Sequence, residues 1–65
     1  MPQPNARLKN LRLERGLKLH QLANKADVFP QTISNIELGK FNPSRKTMMK
    51  IAKALDVSAE YLFFG

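Results

Sequence analysis

Apolar residues recur at helical spacing along this 65-residue chain, and glycine or proline interrupts the pattern at short intervals. One segment follows the i, i+3, i+4, i+7 rule of an amphipathic helix through Leu19, Leu22, Ala23 and Ala26. Gly16 and Gly39 are placed to end helices, and Pro30 to begin one, because proline at the first helical position loses no hydrogen bond. No segment alternates as a strand does. The pattern predicts an all-α fold of five short helices around one core.

The same signals predict where the helices lie. We expect them at about Ala6 to Arg15, Leu19 to Ala26, Pro30 to the residue before Gly39, after the N-cap Ser44 to Leu55, and after the N-cap Ser58. Residues 1–5 contain two prolines and no apolar periodicity, so we predict a flexible N-terminal arm there and one folded domain over residues 6–65.

Composition narrows the classes of function. The chain has 11 Lys and Arg residues against 5 Asp and Glu, a net charge of +6 and a pI near 10.2, which favours a polyanionic partner. It has no cysteine and a single histidine, His20, so we expect no disulfide, no metal site and no cofactor. The sequence offers no pair of a general base and a nucleophile, so we do not expect an enzyme. The absence of a membrane-spanning apolar run and of a signal pattern leads us to expect a cytoplasmic protein without membrane association.

The second and third segments have the pattern of a helix-turn-helix. Ala23 is small enough for a close helix crossing, while Ile33 and Ile36 are spaced to fill the angle between the two helices. Gln31 and Asn35, four residues apart, then share the outer face of the third helix. Amide side chains can bind adenine bidentately in the major groove. They can equally be ordinary surface residues, and the surrounding motif favours base contact.

Several strings of residues together resemble the DNA-binding domain of Cro/CI-type helix-turn-helix regulators, the Xre family. The matching residues are Leu8-Lys9-Asn10-Leu11-Arg12, Gly16-Leu17, Gln21-Leu22-Ala23, Gln31 to Glu37, Gly39-Lys40, Asn42-Pro43-Ser44, Ile51 to Leu55 and Val57-Ser58. The resemblance covers residues 6–64. It implies a compact five-helix, lambda-repressor-like domain that inserts its third helix into the major groove of DNA, in a regulator that is usually dimeric.

The resemblance also implies roles for single residues. Base-reading positions fall on Gln31 and Asn35, with Pro30 and Ser34 beside them. Phosphate-contacting positions, including those suggested by charge at a helix start, are Lys18, Thr32, Lys40, Asn42, Ser44 and Arg45. Arg12 and Glu37 match a buried or half-buried ion pair between the first and third helices. We expect this pair to orient the third helix more than it stabilises the fold.

The sequence departs from the family pattern at three helix ends. Lys18 and Phe29 stand where Ser or Thr usually caps the second and third helices, and Asp27 replaces the glycine of the turn. Phe29 either contacts a thymine methyl or packs on the surface. Of Phe63 and Phe64, we expect one to pack inward and the other to lie loose or to form a dimer contact.

These observations predict a sequence-specific double-stranded DNA-binding transcriptional regulator, most simply a repressor, that acts as a homodimer on its operator. We expect no small-molecule ligand in this domain. The alternative is a protein-interaction module on the same fold, such as an antitoxin or a phage regulatory partner, which would use the basic surface and the aromatic end at Tyr61–Phe64.

Overall fold

The computed structural model describes residues 4–64, and in that range every regular element is a helix. The helices are α1 (Ala6–Glu14), α2 (Leu19–Ala26), α3 (Pro30–Leu38), α4 (Arg45–Ala54) and α5 (Glu60–Phe64), the last wound as a π-helical turn. The predicted five-helix, all-α fold is confirmed. The first and fourth helices each end one residue earlier than predicted, since Arg15 and Leu55 are already their C-caps.

Left-handed residues end the helices at the predicted turns. Gly39 has φ 78° after α3, whereas Asp27 has φ 57° after α2. An aspartate tolerates this conformation less well than glycine does, at a cost of roughly 1 kcal/mol. The turn is held by a hydrogen bond of 3.0 Å from the Val28 N–H to the Ala23 carbonyl. The strained Asp27 therefore belongs to a closed helix end rather than to a loose loop.

The core is small and built from every helix. Its buried apolar residues are Leu8, Leu22, Ala23, Ala26, Ile33, Ile36, Ile51, Ala52, Leu55 and Leu62. Ala23 is fully buried, so its methyl group sets how closely α3 can cross α2. Ile33 and Ile36 fill the space between these helices, as the spacing predicted. This packing fixes which face of α3 points away from the protein.

The prediction of a flexible arm over residues 1–5 is wrong for Asn5. Its side-chain oxygen caps α1 by accepting the Leu8 N–H at 2.9 Å. Its Nδ2 donates to the Leu62 carbonyl at 3.0 Å, and its backbone N–H donates to the Glu37 carbonyl at 3.1 Å. Asn5 thus ties the start of α1 to the ends of α3 and α5. Residues 1–3, which the same prediction included, lie outside the described residues.

The ion pair implied by the family resemblance is present. Arg12 Nε donates to Glu37 Oε2 at 2.7 Å and its Nη2 to Oε1 at 3.1 Å, so the contact is bidentate. The third donor used, Nη1, binds the Leu17 carbonyl at 2.8 Å. Both charged side chains are nearly buried, with exposures of 9% and 6%. The pair connects α1, the following turn and α3.

The aromatic end of the chain divides as expected. Phe63 packs partly against the core, whereas Phe64 is 70% exposed. The Arg7 guanidinium carbon lies 4.8 Å from the centroid of the Tyr61 ring.

Within residues 4–64, none of the helices has the length and apolar character needed to cross a membrane.

Candidate nucleic-acid interface

The burial of one side of α3 determines which of its residues face away from the protein. Because Ile33 and Ile36 point into the core, the helical repeat turns Gln31 and Leu38 outward, and both are exposed. Ser34 and Asn35 are half-buried at the flanks of this face. The structure therefore brings the predicted amide pair together on an accessible surface.

The two amides are joined to each other. Gln31 Nε2 donates to Asn35 Oδ1 at 2.9 Å in an exposed hydrogen bond. This arrangement leaves the Gln31 oxygen and the Asn35 nitrogen without a side-chain partner among the described residues. An acceptor and a donor side by side are what the edge of a base pair can bind in the major groove.

The first turn of α3 is unusual. Pro30 occupies the first helical position and is exposed, as is the N-cap Phe29 before it, at 78%. Phe29 supplies no side-chain cap, but its carbonyl accepts the Thr32 N–H at 3.0 Å. Thr32 itself is half-buried. The backbone of this turn is regular, and an aromatic ring projects from it.

The residues predicted to contact phosphates lie on several elements. Lys18 at the N-cap of α2, Lys40 and Asn42 after α3, and Arg45 at the start of α4 are all exposed. The first turn of α4 contains Arg45 but no acidic residue. Cations at a helix N-terminus oppose the macrodipole by about 0.3–1 kcal/mol each, so an anion bound there would relieve the repulsion.

Ser44 makes the N-cap contact that its position predicted and a second contact that was not predicted. Its Oγ accepts the Thr47 N–H at 3.2 Å, which makes it the N-cap of α4. The same hydroxyl also contacts Thr47 Oγ1 at 3.1 Å, a partner that the spacing of the two residues could have suggested. A phosphate contact of Ser44 therefore competes with a bond to Thr47.

Lys50 on α4 is half-buried and contacts the turn that precedes α3. Its Nζ lies 3.8 Å from the Asp27 carboxylate and 3.5 Å from the Asp27 carbonyl, in the turn between α2 and α3. The Asp27 side chain is 97% exposed, so the pair contributes little to stability. Lys46 and Lys53 are exposed.

The one acidic residue of α3, Glu37, is paired and does not reach this surface. Glu37 faces Arg12 and is buried, so α3 presents no exposed carboxylate. In the part of the chain that the structure describes, no three His, Cys, Asp or Glu residues cluster in a way that could hold a metal ion. The polar groups that this surface presents are amides, hydroxyls and cations, beside the exposed apolar side chains of Phe29 and Leu38.

Lys18 shows how α2 is capped without Ser or Thr. Its side chain makes no cap, but its backbone N–H donates to Gln21 Oε1 at 2.8 Å, which is one half of a capping box. The ammonium group of Lys18 therefore takes no part in capping α2.

Comparison with known proteins gives a consistent family. The model of a family described as helix-turn-helix matches residues 8–62. An uncharacterized HTH-type transcriptional regulator of Methanocaldococcus jannaschii, MJ0272, is 44% identical over 57 residues, which are 88% of this chain and 86% of that protein. The HTH-type transcriptional regulator DdrOP3 of Deinococcus deserti is 36% identical over 91% of this chain, which spans only 46% of DdrOP3.

Solved structures agree with the sequence relatives. The restriction-modification controller protein C.AhdI from Aeromonas hydrophila superposes with a TM-score of 0.86 at 32% identity, covering 91% of this chain and 89% of that one. SinR, a master regulator for biofilm formation solved in complex with DNA, gives 0.83 at 39% identity, covering 89% and 94%. This chain belongs to the helix-turn-helix family of Cro/CI-type transcriptional regulators, which are DNA-binding proteins rather than enzymes.

Proposed function

We propose that this chain recognises a specific double-stranded DNA operator by inserting α3 into the major groove, and that it acts as a transcriptional repressor. The observation that carries the proposal is the hydrogen-bonded amide pair of the exposed Gln31 and the half-buried Asn35, on the outer side of a helix whose inner side packs into the core. Pro30 and Ser34 border this pair and complete the base-reading surface.

Phosphate contacts fix the register of α3 in this proposal. The contacts come from three helix starts and one loop, through Lys18, Thr32, Lys40, Asn42, Ser44 and Arg45. They hold the DNA from the start of α2, the start of α3, the loop after α3 and the start of α4. Residues 6–65 form the DNA-binding unit, with Asn5 as its N-terminal anchor, and the protein acts in the cytoplasm, where DNA is accessible to it.

We further propose that two copies bind one operator. Half-sites lie about 34 Å apart, one turn of DNA, so a dimer reads two successive major grooves on the same side of the duplex. The exposed Phe64 and Met49, at 70% and 57%, supply an apolar surface for the second copy. The complex with DNA of SinR, a structural relative, supports DNA as the partner.

Selection of bound duplexes from a random DNA pool tests the function directly. We expect enrichment of one sequence with two symmetric half-sites. A pool that shows no enrichment, together with a stable complex with another protein, would favour the interaction-module alternative instead.

Two variants then separate base contacts from phosphate contacts on the selected duplex. Asn35→Ala should weaken binding by about 1–3 kcal/mol and relax the preference at one base position. Lys40→Ala should weaken binding to all sequences alike and reduce the slope of log K against log salt by about one unit. Unchanged affinity in both variants across a salt titration would show that this face does not dock on DNA.

A further inference from the structure

Phe29 is the most exposed large apolar side chain in residues 4–64, at 78%. Its backbone, in contrast, is fixed, because the Phe29 carbonyl accepts the N–H groups of Thr32 at 3.0 Å and Ile33 at 3.4 Å. The ring is therefore carried at a defined position, at the very start of α3, without being packed into the protein.

The Phe29 ring makes no side-chain cap and is not packed into the core. Phe29 has the extended backbone of an N-cap, φ −81° and ψ 146°, where a Ser or Thr hydroxyl would accept a backbone N–H of the first turn. The apolar contact of the turn is already made by Val28, which packs against the core. A phenylalanine at this position thus exposes apolar surface and forgoes a cap.

The position of Phe29 suggests what the ring contacts. It precedes Gln31 by two residues, and the N-terminal residues of a recognition helix are those that reach base edges. Thymine alone among the four bases presents a methyl group in the major groove, and apolar side chains including phenylalanine pack on it. The residue between them, Pro30, has an uncharged side chain without hydrogen-bonding groups.

We propose that Phe29 determines specificity by packing its ring on the 5-methyl group of a thymine in each half-site, beside the base pair bound by Gln31 and Asn35. The proposal rests on the proposed function and adds to it a thymine requirement that hydrogen bonding alone does not create.

Replacing thymine by deoxyuridine tests this, because the change removes only the methyl group and keeps every hydrogen-bonding atom. Each thymine of the selected duplex is replaced in turn, and affinity is measured by fluorescence anisotropy. We expect one position per half-site at which the wild-type protein loses about fourfold in affinity, the effect of one methyl group returned to water. Phe29→Ser should bind the thymine and uracil duplexes equally at that position.

Two controls keep loss of folding apart from loss of recognition. Phe29→Ser introduces a preferred N-cap residue, so its melting temperature should equal or exceed that of the wild type. Leu13→Ser removes another exposed apolar side chain, on α1, and should retain the fourfold discrimination.

The proposal is overturned if the selected half-site contains no methyl-sensitive thymine, or if Phe29→Ser discriminates as well as the wild type. In either case the selected duplex still supports sequence-specific DNA binding, and the Asn35→Ala and Lys40→Ala variants still test whether α3 makes the contact. A selection that enriches no duplex at all overturns both proposals together.

Discussion

At the residue scale, the 2.9 Å contact from Gln31 Nε2 to Asn35 Oδ1 decides which polar atoms remain available to a ligand. Each amide restricts the other, because a side chain that donates to its neighbour on the same helix face loses rotamer freedom before DNA arrives. Part of the entropic cost of ordering these amides is therefore already present in the free protein and does not reduce the affinity for DNA. We therefore treat Gln31 and Asn35 as one recognition unit rather than two independent contacts.

A double-mutant cycle measures this coupling. Gln31→Ala and Asn35→Ala should each weaken operator binding by about 1–3 kcal/mol. The double variant should lose less than the sum, with a coupling of about 0.5–3 kcal/mol, because each single change also releases the other amide. The matched control pairs Asn35→Ala with Lys40→Ala. Their only hydrogen bond in the described structure, from the Lys40 N–H to the Asn35 carbonyl at 2.9 Å, is between backbone atoms that alanine keeps, so the two changes should be additive. Additivity of the two amide changes within about 0.5 kcal/mol would contradict the coupled unit.

Sequence periodicity was sufficient to place both amides on one face, since the helical repeat depends only on spacing. It was sufficient for the helix ends too, because Gly39, Pro30 and Ser44 act locally. The anchor at Asn5 was not predictable in this way, since its partner Leu62 lies 57 residues away. The Lys50 contact with Asp27 likewise joins residues 23 apart, which a local pattern cannot relate.

At the scale of elements, the Arg12–Glu37 pair is the polar link between α1 and α3. Removing both charges from water is costly, so a buried pair adds little net stability over an apolar replacement. Removing one partner is different, because it leaves the other charge buried without compensation. The pair is thus better explained by where it holds α3 than by how much it stabilises the domain.

Denaturant unfolding of three variants tests this explanation. Glu37→Ala should destabilise the protein by about 3–5 kcal/mol, because Arg12 stays in a site that is 7% exposed. The double variant Arg12→Met/Glu37→Leu should recover most of that loss and yet bind the operator more weakly than the wild type. Leu13→Ser, an exposed change on the same helix, serves as the control and should shift stability little. A double variant as unstable as Glu37→Ala would contradict this account.

Across the whole molecule, the net charge opposes the association of two copies, whereas exposed apolar surface favours it. The chain has a charge of +6 on a body of about 28 × 22 × 21 Å, so two copies repel each other at low salt. In the proposed dimer, attraction has to come from the apolar side chains of Met49 and Phe64, which line a hollow of about 230 Å³ beside α4 and α5.

Phe64→Ser should therefore separate dimer formation from DNA contact. On a duplex with both half-sites its affinity should fall, whereas on a duplex with one half-site it should equal the wild type, because α3 is untouched. Sedimentation velocity should show wild-type self-association strengthening as salt rises, while DNA binding weakens over the same range. Screening reduces the repulsion between two like-charged copies, but for DNA it removes the gain from counterion release. An equal loss on both duplexes would place Phe64 outside the interface between copies, and identical salt trends for the two equilibria would show that charge does not oppose dimer formation.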